Sequence, residues 1–290
     1  MIHQDFDSLV PGRDFDRRDF IRTTVGSGFA AAVLPVSAQT ITTDTEGLTA
    51  GPVTISAGNF QMPAYRAMPA GRKHAPVIVV ISEVFGVHEH IADVARRFAK
   101  LGYFAVAPEL FVRQGDAKSY SDISRLLAEV VNKVPDEQVL GDLDATVRWA
   151  RTQGADVARL GVTGFCGGGR FAWLFDAHNP AVKASVAWYG RLEGQSTPLT
   201  PRNPIDVCGQ LHGPVLGLYG GADPGNPLTA VNQMKDALQA GSPAAKASEF
   251  VVYPDAPHAF FADYRPSYRK DAAQDGWQRC VDWFKAHGVA

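Results

Sequence analysis

The chain has 290 residues, of which 46% are hydrophobic and 20% charged, and its 28 basic side chains nearly balance its 30 acidic ones. Such a length and composition fit one large globular domain, and a net charge of −2 argues against a nucleic-acid partner. No apolar run reaches the roughly 18 residues that a membrane-spanning helix needs, so we expect no stable membrane anchor.

The first forty residues differ from the rest of the chain. Arg17-Arg18 is followed by Phe20-Ile21 and then by an uncharged stretch rich in glycine and alanine, which ends in Val36-Ser37-Ala38. The paired arginines resemble a twin-arginine export signal, and the final small residues resemble a signal-peptidase site. A short amphipathic or disordered N-terminus is the alternative interpretation.

The export interpretation divides the chain into three parts. Residues 1–38 would be the signal peptide, read by the twin-arginine export machinery, with cleavage near Ala38-Gln39. Residues 39–51, rich in threonine, would form a flexible tail. Residues 52–290 would form the folded domain, which we place in the periplasm.

From residue 52 onward, short β-branched runs alternate with longer helical patterns. Strand-like runs lie at 53–56, 61–67, 76–81, 103–107, 160–163, 184–189, 215–219 and 249–253. Apolar residues at helical spacing occur at 88–101, 119–132, 137–152, 170–177, 228–240 and 268–287. Residues 197–214, with four prolines, form the one long loop. This alternation predicts an α/β domain, with a mostly parallel sheet and helices on both faces.

A nucleophile motif directly follows the strand predicted at 160–163. Gly164-Phe165-Cys166-Gly167-Gly168 has the spacing G-x-nucleophile-x-G of a nucleophile elbow, with cysteine in the place of the usual serine. Glycines two residues either side remove side chains that would collide at the sharp strand-to-helix turn. The turn also places Cys166 at a helix N-terminus, where amide groups and the helix dipole favour a thiolate or an oxyanion.

Two other interpretations of this segment compete with the nucleophile. Buried cysteines commonly serve as small hydrophobic residues. Residues 167–172 also match G-x-G-x-x-A, the dinucleotide-binding turn. That turn belongs in the first strand–helix unit of its domain, whereas about 100 residues of strand and helix pattern precede it here.

A nucleophile needs a base and the base needs an orienting acid, which in the α/β-hydrolase fold follow in the order nucleophile, acid, histidine. Asp223 lies in a glycine-rich loop just after the strand predicted at 215–219, and His258 follows the strand predicted at 249–253. Because the carboxyl ends of parallel strands meet at one edge, we predict a Cys166–His258–Asp223 triad. Asp255 is the rival acid, although its position three residues before His258 favours a role in the turn.

The remaining histidines and cysteines carry weaker signals. His88 and His90 could be two metal ligands, but no cluster of cysteine or acidic residues completes a site. We therefore expect a solvent-exposed helix start there and no metal. Cys208 and Cys280 could pair in an oxidising compartment, which would leave Cys166 as the odd thiol, although we do not favour this disulfide.

These motifs resemble those of the dienelactone hydrolase (carboxymethylenebutenolidase) family, which has the α/β-hydrolase fold. The matching segments are spread over the whole predicted domain: Ile81–Val87, Ala107–Phe111, Gly164–Gly169, Gly221–Asp223 and His258–Phe260. Together these segments are specific to the family, though not to one member of it.

The resemblance implies further roles near the nucleophile. Glu83 is similar to a family glutamate that contacts the resting thiol and takes its proton when substrate displaces it. Val84 and Gly167 would supply the backbone N–H groups of an oxyanion hole.

The resemblance also implies substrate contacts. Arg113 is similar to an arginine that binds the substrate carboxylate, and Trp188 and Tyr189 resemble an aromatic pair that lines the pocket. The sequence departs from the family pattern where a second carboxylate-binding arginine stands four residues after the histidine. Ala262 occupies that position here, and the nearest arginine is Arg265.

Together these features predict hydrolysis of a small ester or lactone through a thioacyl-enzyme on Cys166, with no cofactor. A general carboxylesterase or amidase acting on other acyl substrates is the alternative among enzymes. From a different class, a non-catalytic α/β-hydrolase scaffold that binds a ligand or partner is the other alternative. Against the scaffold, a binding protein has no need to keep all three triad groups.

Overall fold

One eight-stranded sheet organises the part of the chain that the computed structural model describes, residues 41–290. The strands are β1 (Leu48–Ala57), β2 (Phe60–Pro69), β3 (Pro76–Ile81), β4 (Phe104–Pro108), β5 (Asp156–Phe165), β6 (Val182–Trp188), β7 (Val215–Gly220) and β8 (Glu249–Tyr253). The helices are α1 (Glu89–Lys100), α2 (Ile123–Glu129), α3 (Asp136–Thr152), α4 (Gly167–His178), α5 (Pro204–Val207), α6 (Leu228–Gln239), α7 (Pro243–Lys246) and α8 (Lys270–Ala286).

The strand order is β1-β2-β4-β3-β5-β6-β7-β8. The hairpin of β1 and β2 is antiparallel and joins the sheet antiparallel to β4, whereas β3 to β8 are parallel to one another. The predicted α/β-hydrolase fold, with a mostly parallel sheet and helices on both faces, is confirmed. The parallel arrangement brings the carboxyl ends of β3 to β8 to one edge of the sheet.

The core has two layers because the central strands bury both of their faces. All six residues of β3 are buried, and its alternate side chains enter two different hydrophobic clusters. Helices α1 and α8 cover one face, while α3, α4 and α6 cover the other. The continuous apolar run at 76–81 is therefore explained by a strand that is covered on both faces.

A buried carboxylate, Asp176, links helix α4 to strand β6 and to the loop before β7. Asp176 is fully buried and accepts hydrogen bonds from Ser185 Oγ at 2.6 Å and from the backbone N–H groups of His212 and Gly213 at 3.1 and 3.0 Å. Burial nevertheless raises the pKa of Asp176 to about 7 against these three donors. This carboxyl lies outside the site described below.

Two predicted segments differ from the structure for local reasons. The single helix predicted at 119–132 is broken into α2, flanked by short 3₁₀ turns at 117–119 and 131–133. Asp122 accepts a hydrogen bond from Arg125 N at 2.9 Å and so begins α2 as its N-cap. The loop predicted at 197–214 contains α5, where Asp206 accepts a hydrogen bond from Asn203 N at 2.7 Å.

The folded domain also begins before residue 52. Strand β1 already starts at Leu48, and the N–H groups of Ile41 and Thr43 donate hydrogen bonds to Asp263 and Asp93 at 3.2 and 2.5 Å. The predicted tail at 39–51 is therefore packed against the domain from residue 41 onward. The predicted signal peptide at 1–38 lies outside the described residues.

The three cysteines are free in the structure, so the disulfide considered between Cys208 and Cys280 is not formed. The reason is topological, because Cys208 is buried on one face of the sheet and Cys280 on the other. No helix within residues 41–290 is both long and apolar enough to cross a membrane.

Candidate active site

The nucleophile elbow forms as its glycine spacing predicts. Cys166 lies between β5 and α4 with φ 53° and ψ −116°, a strained conformation for a residue other than glycine. A Cβ atom on Gly164 would lie 2.0 Å from the Gly168 carbonyl oxygen, and one on Gly168 would lie 2.3 Å from the Ile81 carbonyl oxygen. Both glycines are therefore required for the turn that presents the Cys166 thiol.

The predicted base and its predicted orienting acid meet at the same sheet edge. His258 Nδ1 lies 2.8 Å from Asp223 Oδ2, and both side chains are buried. Asp223 also accepts hydrogen bonds from Gly225 N at 2.9 Å and Asn226 Nδ2 at 3.2 Å. Asp255, the rival acid, is exposed. The Asp223 carboxylate is thus fixed from three sides and leaves the second ring nitrogen of His258 free for chemistry.

The electrostatics of these residues favour a protonated His258 imidazolium. Burial lowers the pKa of His258, but the neighbouring Cys166 and Asp223 side chains outweigh it and bring that pKa well above its ordinary value. Burial raises the pKa of Asp223, and the charge and hydrogen bond of His258 reverse this, so the carboxyl is ionised. His258 Nε2 makes no hydrogen bond of ordinary geometry within residues 41–290, which leaves it for the thiol.

A second buried carboxylate, Glu83, lies in the loop after β3. Its Oε2 accepts a hydrogen bond from Tyr264 Oη at 2.6 Å and lies 3.2 Å from His88 Nε2. Burial raises the pKa of Glu83, but the hydrogen bond with His88 and then the charge of Arg265 bring it well below its ordinary value. The other oxygen, Oε1, is buried without a hydrogen-bond partner among the described residues.

The two histidines of this segment lie at the start of α1, as predicted, but this start is not solvent-exposed, so that part of the expectation is wrong. His88 is half-buried against Glu83, and His90 is buried with its Nδ1 atom 3.0 Å from Asp263 Oδ1. Burial lowers the pKa of His88 despite its carboxylate neighbour. Across residues 41–290, no group of three or more histidine, cysteine or acidic side chains could bind a metal ion.

The two residues predicted for the oxyanion hole are neighbours. A Cβ atom on Gly167 would lie 3.3 Å from Val84 Cγ1, and Gly167 is the first residue of α4, where backbone N–H groups have no partner within the helix. The loop that carries Val84 is fixed by Glu109, whose carboxylate accepts a hydrogen bond from Val87 N at 3.0 Å. Gly86 has φ +74°, and a Cβ atom there would lie 2.5 Å from Glu109 Oε2, so this turn requires glycine.

Of the predicted aromatic pair, only Tyr189 reaches the site. Its ring meets His258 edge-on with 5.1 Å between ring centroids, and its buried hydroxyl faces Glu83 and Cys166. Trp188 points into the core, where its Nε1 donates a hydrogen bond to Thr163 Oγ1 at 3.1 Å. Strand β6 ends at Trp188, and Tyr189 follows it with φ 41°, so the Tyr189 ring leaves the line of the strand and turns toward His258.

The structure does not bring Arg113 to the cluster around Cys166. Its guanidinium lies 4.6 Å from the centre of the Phe60 ring and forms an ion pair with Asp142 at 2.5 Å. Arg265 is the arginine at the site: it is half-buried, its Cζ atom lies 4.6 Å from the centre of the Phe85 ring, and its charge acts on Glu83 and Cys166.

Sequence reasoning missed four contributors to this site: Tyr264, Glu109, Asn226 and the pairing role of His88. Only His88 and Glu109 had a signal, because both lie within or beside the segments that resemble the family. Tyr264 and Asn226 follow His258 and Asp223 in loops without periodicity, and nothing in the pattern marks them.

Comparisons with known proteins show which family the chain is similar to. The model of the dienelactone hydrolase family matches residues 62–288. A protein of Methylorubrum extorquens named "Putative carboxymethylenebutenolidase" is 58% identical over 288 residues, which cover 99% of this chain and 98% of that protein. A protein of Bradyrhizobium named "Probable 2-oxo-3-(5-oxofuran-2-ylidene)propanoate lactonase" is 33% identical over 77% of this chain and 89% of its own length.

A solved structure gives the same result for the fold. The crystal structure titled as a "Putative Dienelactone Hydrolase" from Klebsiella pneumoniae superposes with a TM-score of 0.80 at 50% sequence identity. The alignment covers 82% of this chain and 98% of that one, so the similarity extends over nearly the whole domain of the relative.

Proposed function

The chain belongs to the dienelactone hydrolase family, and on this premise we propose that it cleaves small esters or lactones through a thioacyl-enzyme on Cys166. The observation that carries the proposal is the buried contact of 2.8 Å between His258 Nδ1 and Asp223 Oδ2 beside the elbow. This contact orients the imidazole and leaves Nε2 toward the thiol. Cysteine, histidine and aspartate in this arrangement are the components of nucleophilic acyl transfer.

In the first half of the reaction, the Cys166 thiolate attacks the carbonyl carbon and a C–S bond forms. The carbonyl electron pair moves to oxygen, and the N–H groups of Val84 and Gly167 stabilise this oxyanion. When the tetrahedral intermediate collapses, the C–O bond breaks and the alkoxide takes a proton from the His258 imidazolium. With a lactone, that alcohol remains attached to the acyl group.

In the second half, water attacks the thioester while His258 Nε2 removes one of its protons. The C–S bond breaks, the carboxylic acid leaves, and Cys166 departs as a thiolate beside the reformed imidazolium. In the resting enzyme, Cys166 would be a thiol: Glu83 would take its proton when substrate arrives, as the family resemblance implies, and would return it to the thiolate once the product has left. Its unpaired Oε1 is suited to accept that proton.

A substrate carboxylate is expected at Arg265. The names of the relatives refer to lactones that carry a carboxylate, and a guanidinium binds that group with two parallel hydrogen bonds. Both arginines have a buried Nε without a hydrogen-bond partner among residues 41–290, but Arg113 pairs with Asp142, whereas the charge of Arg265 acts on Glu83 and Cys166. We therefore assign the carboxylate to Arg265 in place of Arg113.

The domain is proposed to act in the periplasm after export by the twin-arginine machinery. The support is the sequence around Arg17-Arg18, which precedes the described residues. That machinery carries folded proteins, so the buried Cys166 would reach the oxidising compartment already shielded by the fold.

The direct test is to trap the acyl group. The protein is mixed with p-nitrophenyl acetate and with small lactones, quenched in acid, and analysed by peptide mass spectrometry for an acyl adduct on Cys166. Cys166→Ala should lose the adduct and at least about 10³-fold in kcat while keeping its thermal stability. Cys208→Ala, a matched control at another buried free thiol, should keep the acyl adduct on Cys166 and the wild-type kcat. Turnover by Cys166→Ala near that of the wild type would exclude the covalent mechanism.

A further inference from the structure

The Glu83 carboxylate is bound asymmetrically by two side chains from distant parts of the chain. Tyr264 Oη donates to Oε2 at 2.6 Å, and His88 Nε2 lies 3.2 Å from the same oxygen. Tyr264 Oη and His88 Nε2 lie 3.4 Å from each other, so both contact the same carboxylate oxygen. Oε1 has no hydrogen-bond partner within the described chain, although it is buried.

A second layer fixes the two donors. The His90 ring packs against the rings of Tyr264 and His88, with 5.1 and 6.1 Å between centroids. His90 Nδ1 in turn lies 3.0 Å from Asp263 Oδ1, and Arg97 Nη2 donates to the other oxygen of Asp263 at 2.8 Å. A buried network in which each member has a partner favours one arrangement of its side chains.

We propose that Tyr264 and His88 are positioning residues that bind Oε2 of Glu83 so that Oε1 is the oxygen presented to the reaction. The proposal rests on the proposed function of Glu83 as the acceptor of the Cys166 proton. In that step the S–H bond breaks, an O–H bond forms on Oε1, and the electron pair stays on sulfur as the thiolate. Without the two donors, the carboxylate could rotate and present either oxygen or neither.

The surroundings of Glu83 define what a pH profile would report. The groups that face it are His88 and His90 from the start of α1, Tyr264 and Arg265 from the loop before α8, and Tyr189 after β6; Cys166 at the elbow acts on the same Tyr189 and Arg265. Burial lowers the pKa of His88, so this ring stays neutral and can donate its proton in a hydrogen bond to the carboxylate. Loss of a donor should therefore raise the pKa of Glu83 itself.

The experiment is a double-mutant cycle on the purified protein. Tyr264→Phe removes only the hydroxyl, and it is measured alone and with Glu83→Gln. The readouts are the pH profiles of kcat and KM with p-nitrophenyl acetate and of the rate at which iodoacetamide alkylates Cys166. Tyr253→Phe is the matched control, because its hydroxyl also donates to a carboxylate, Asp275, at 2.7 Å, but on an exposed surface.

We expect Tyr264→Phe to lower kcat by roughly tenfold with little change in KM, because a hydrogen bond to a charged group is lost. The acid limb of its profile should move up by about one to two pH units. Both effects should vanish in the Glu83→Gln background, and Tyr253→Phe should show neither. If Tyr264→Phe has the same effect with and without Glu83, or leaves the acid limb unmoved, the proposal is overturned.

A second pair of variants makes the result independent of one substitution. His88→Ala removes the other donor, whereas His88→Gln keeps an amide that can donate to Oε2. His88→Gln should therefore keep most of the wild-type kcat and keep the acid limb of the pH profile near its wild-type position. Equal profiles for the two variants would refute a positioning role for His88. If the wild type hydrolyses no ester or lactone, the proposed function has failed, and the alkylation cycle alone decides: additive effects of Tyr264→Phe and Glu83→Gln overturn the positioning.

Discussion

The contact between Asp223 and His258 offers the most direct quantitative test of the site. In Asp223→Asn, one oxygen and one NH₂ group replace the two carboxylate oxygens. Gly225 N donates to Oδ1 at 2.9 Å, so the amide oxygen is held at that position and the NH₂ group faces His258. An NH₂ group donates to Nδ1, which shifts the ring proton to Nε2 and leaves that nitrogen unable to remove a proton from the attacking water.

The magnitude has two parts. The hydrogen bond of 2.8 Å joins a buried carboxylate to an imidazolium, and such a bond contributes about 1.5–3 kcal/mol, or about 10- to 150-fold in rate. The wrong tautomer adds to this loss, and the same substitution in serine triads costs about 10⁴-fold. We therefore expect kcat/KM to fall by about 10² to 10⁴ while the fold remains intact.

The assay compares hydrolysis of p-nitrophenyl acetate with an NMR titration of His258. In the wild type the pKa of this ring lies well above its ordinary value, partly because of Asp223, and it should fall in Asp223→Asn. Asp255→Asn is the matched control, since Asp255 is an exposed aspartate three residues from the same histidine. A loss smaller than about threefold in Asp223→Asn, or an equal loss in Asp255→Asn, would refute the assignment of the acid.

Three further predictions concern the substrate, the fold and export. Arg265→Ala should raise KM at least about tenfold for a carboxylate-bearing ester but little for a neutral one, whereas Arg113→Ala should not discriminate between the two; steady-state kinetics on a matched ester pair decides this. The pKa of Asp176 in the folded state, about 7, lies above its unfolded value of 3.8, so its contribution to stability is complete below about pH 4 and is lost as the pH rises through 7. Chemical denaturation should therefore show stability decreasing by up to about 4 kcal/mol between about pH 4 and pH 8, and this slope should disappear in Asp176→Asn. Replacing Arg17 and Arg18 by lysine keeps the charge but loses the guanidinium pattern, so cell fractionation should show the processed protein missing from the periplasm; normal periplasmic levels would refute the export signal.

Local physics made much of the fold readable from the sequence. The apolar run at 76–81 and the segment at 249–253 match the bounds of β3 and β8, because a strand buried on both faces, or one ended by turn residues, leaves a clear pattern. The elbow was equally readable. Gly164 and Gly168 are required by contacts of 2.0 and 2.3 Å that any Cβ atom would make, so the spacing itself identified Cys166.

The meeting of Asp223 and His258 could also be predicted, because the carboxyl ends of parallel strands lie at one edge of the sheet. Asp223 and His258 each follow a strand by a few residues, and topology alone brings them together. The direction in which each side chain points at that edge could not be predicted from the sequence. Trp188 and Tyr189 are neighbours in the chain, yet one enters the core and the other turns to the site, where its φ of 41° departs from the strand.

The contacts around Glu83 were decided by tertiary structure alone. Tyr264 lies 181 residues from Glu83, and no periodicity or motif connects them. Arg265 reaches the site from three positions beyond the place where the family pattern has its arginine, while Arg113 pairs with Asp142 instead. Patterns along a sequence report burial and backbone conformation, which are local. Which loop side chains meet over the sheet edge depends on how separate segments pack on one another, and the sequence determines that only through the completed fold.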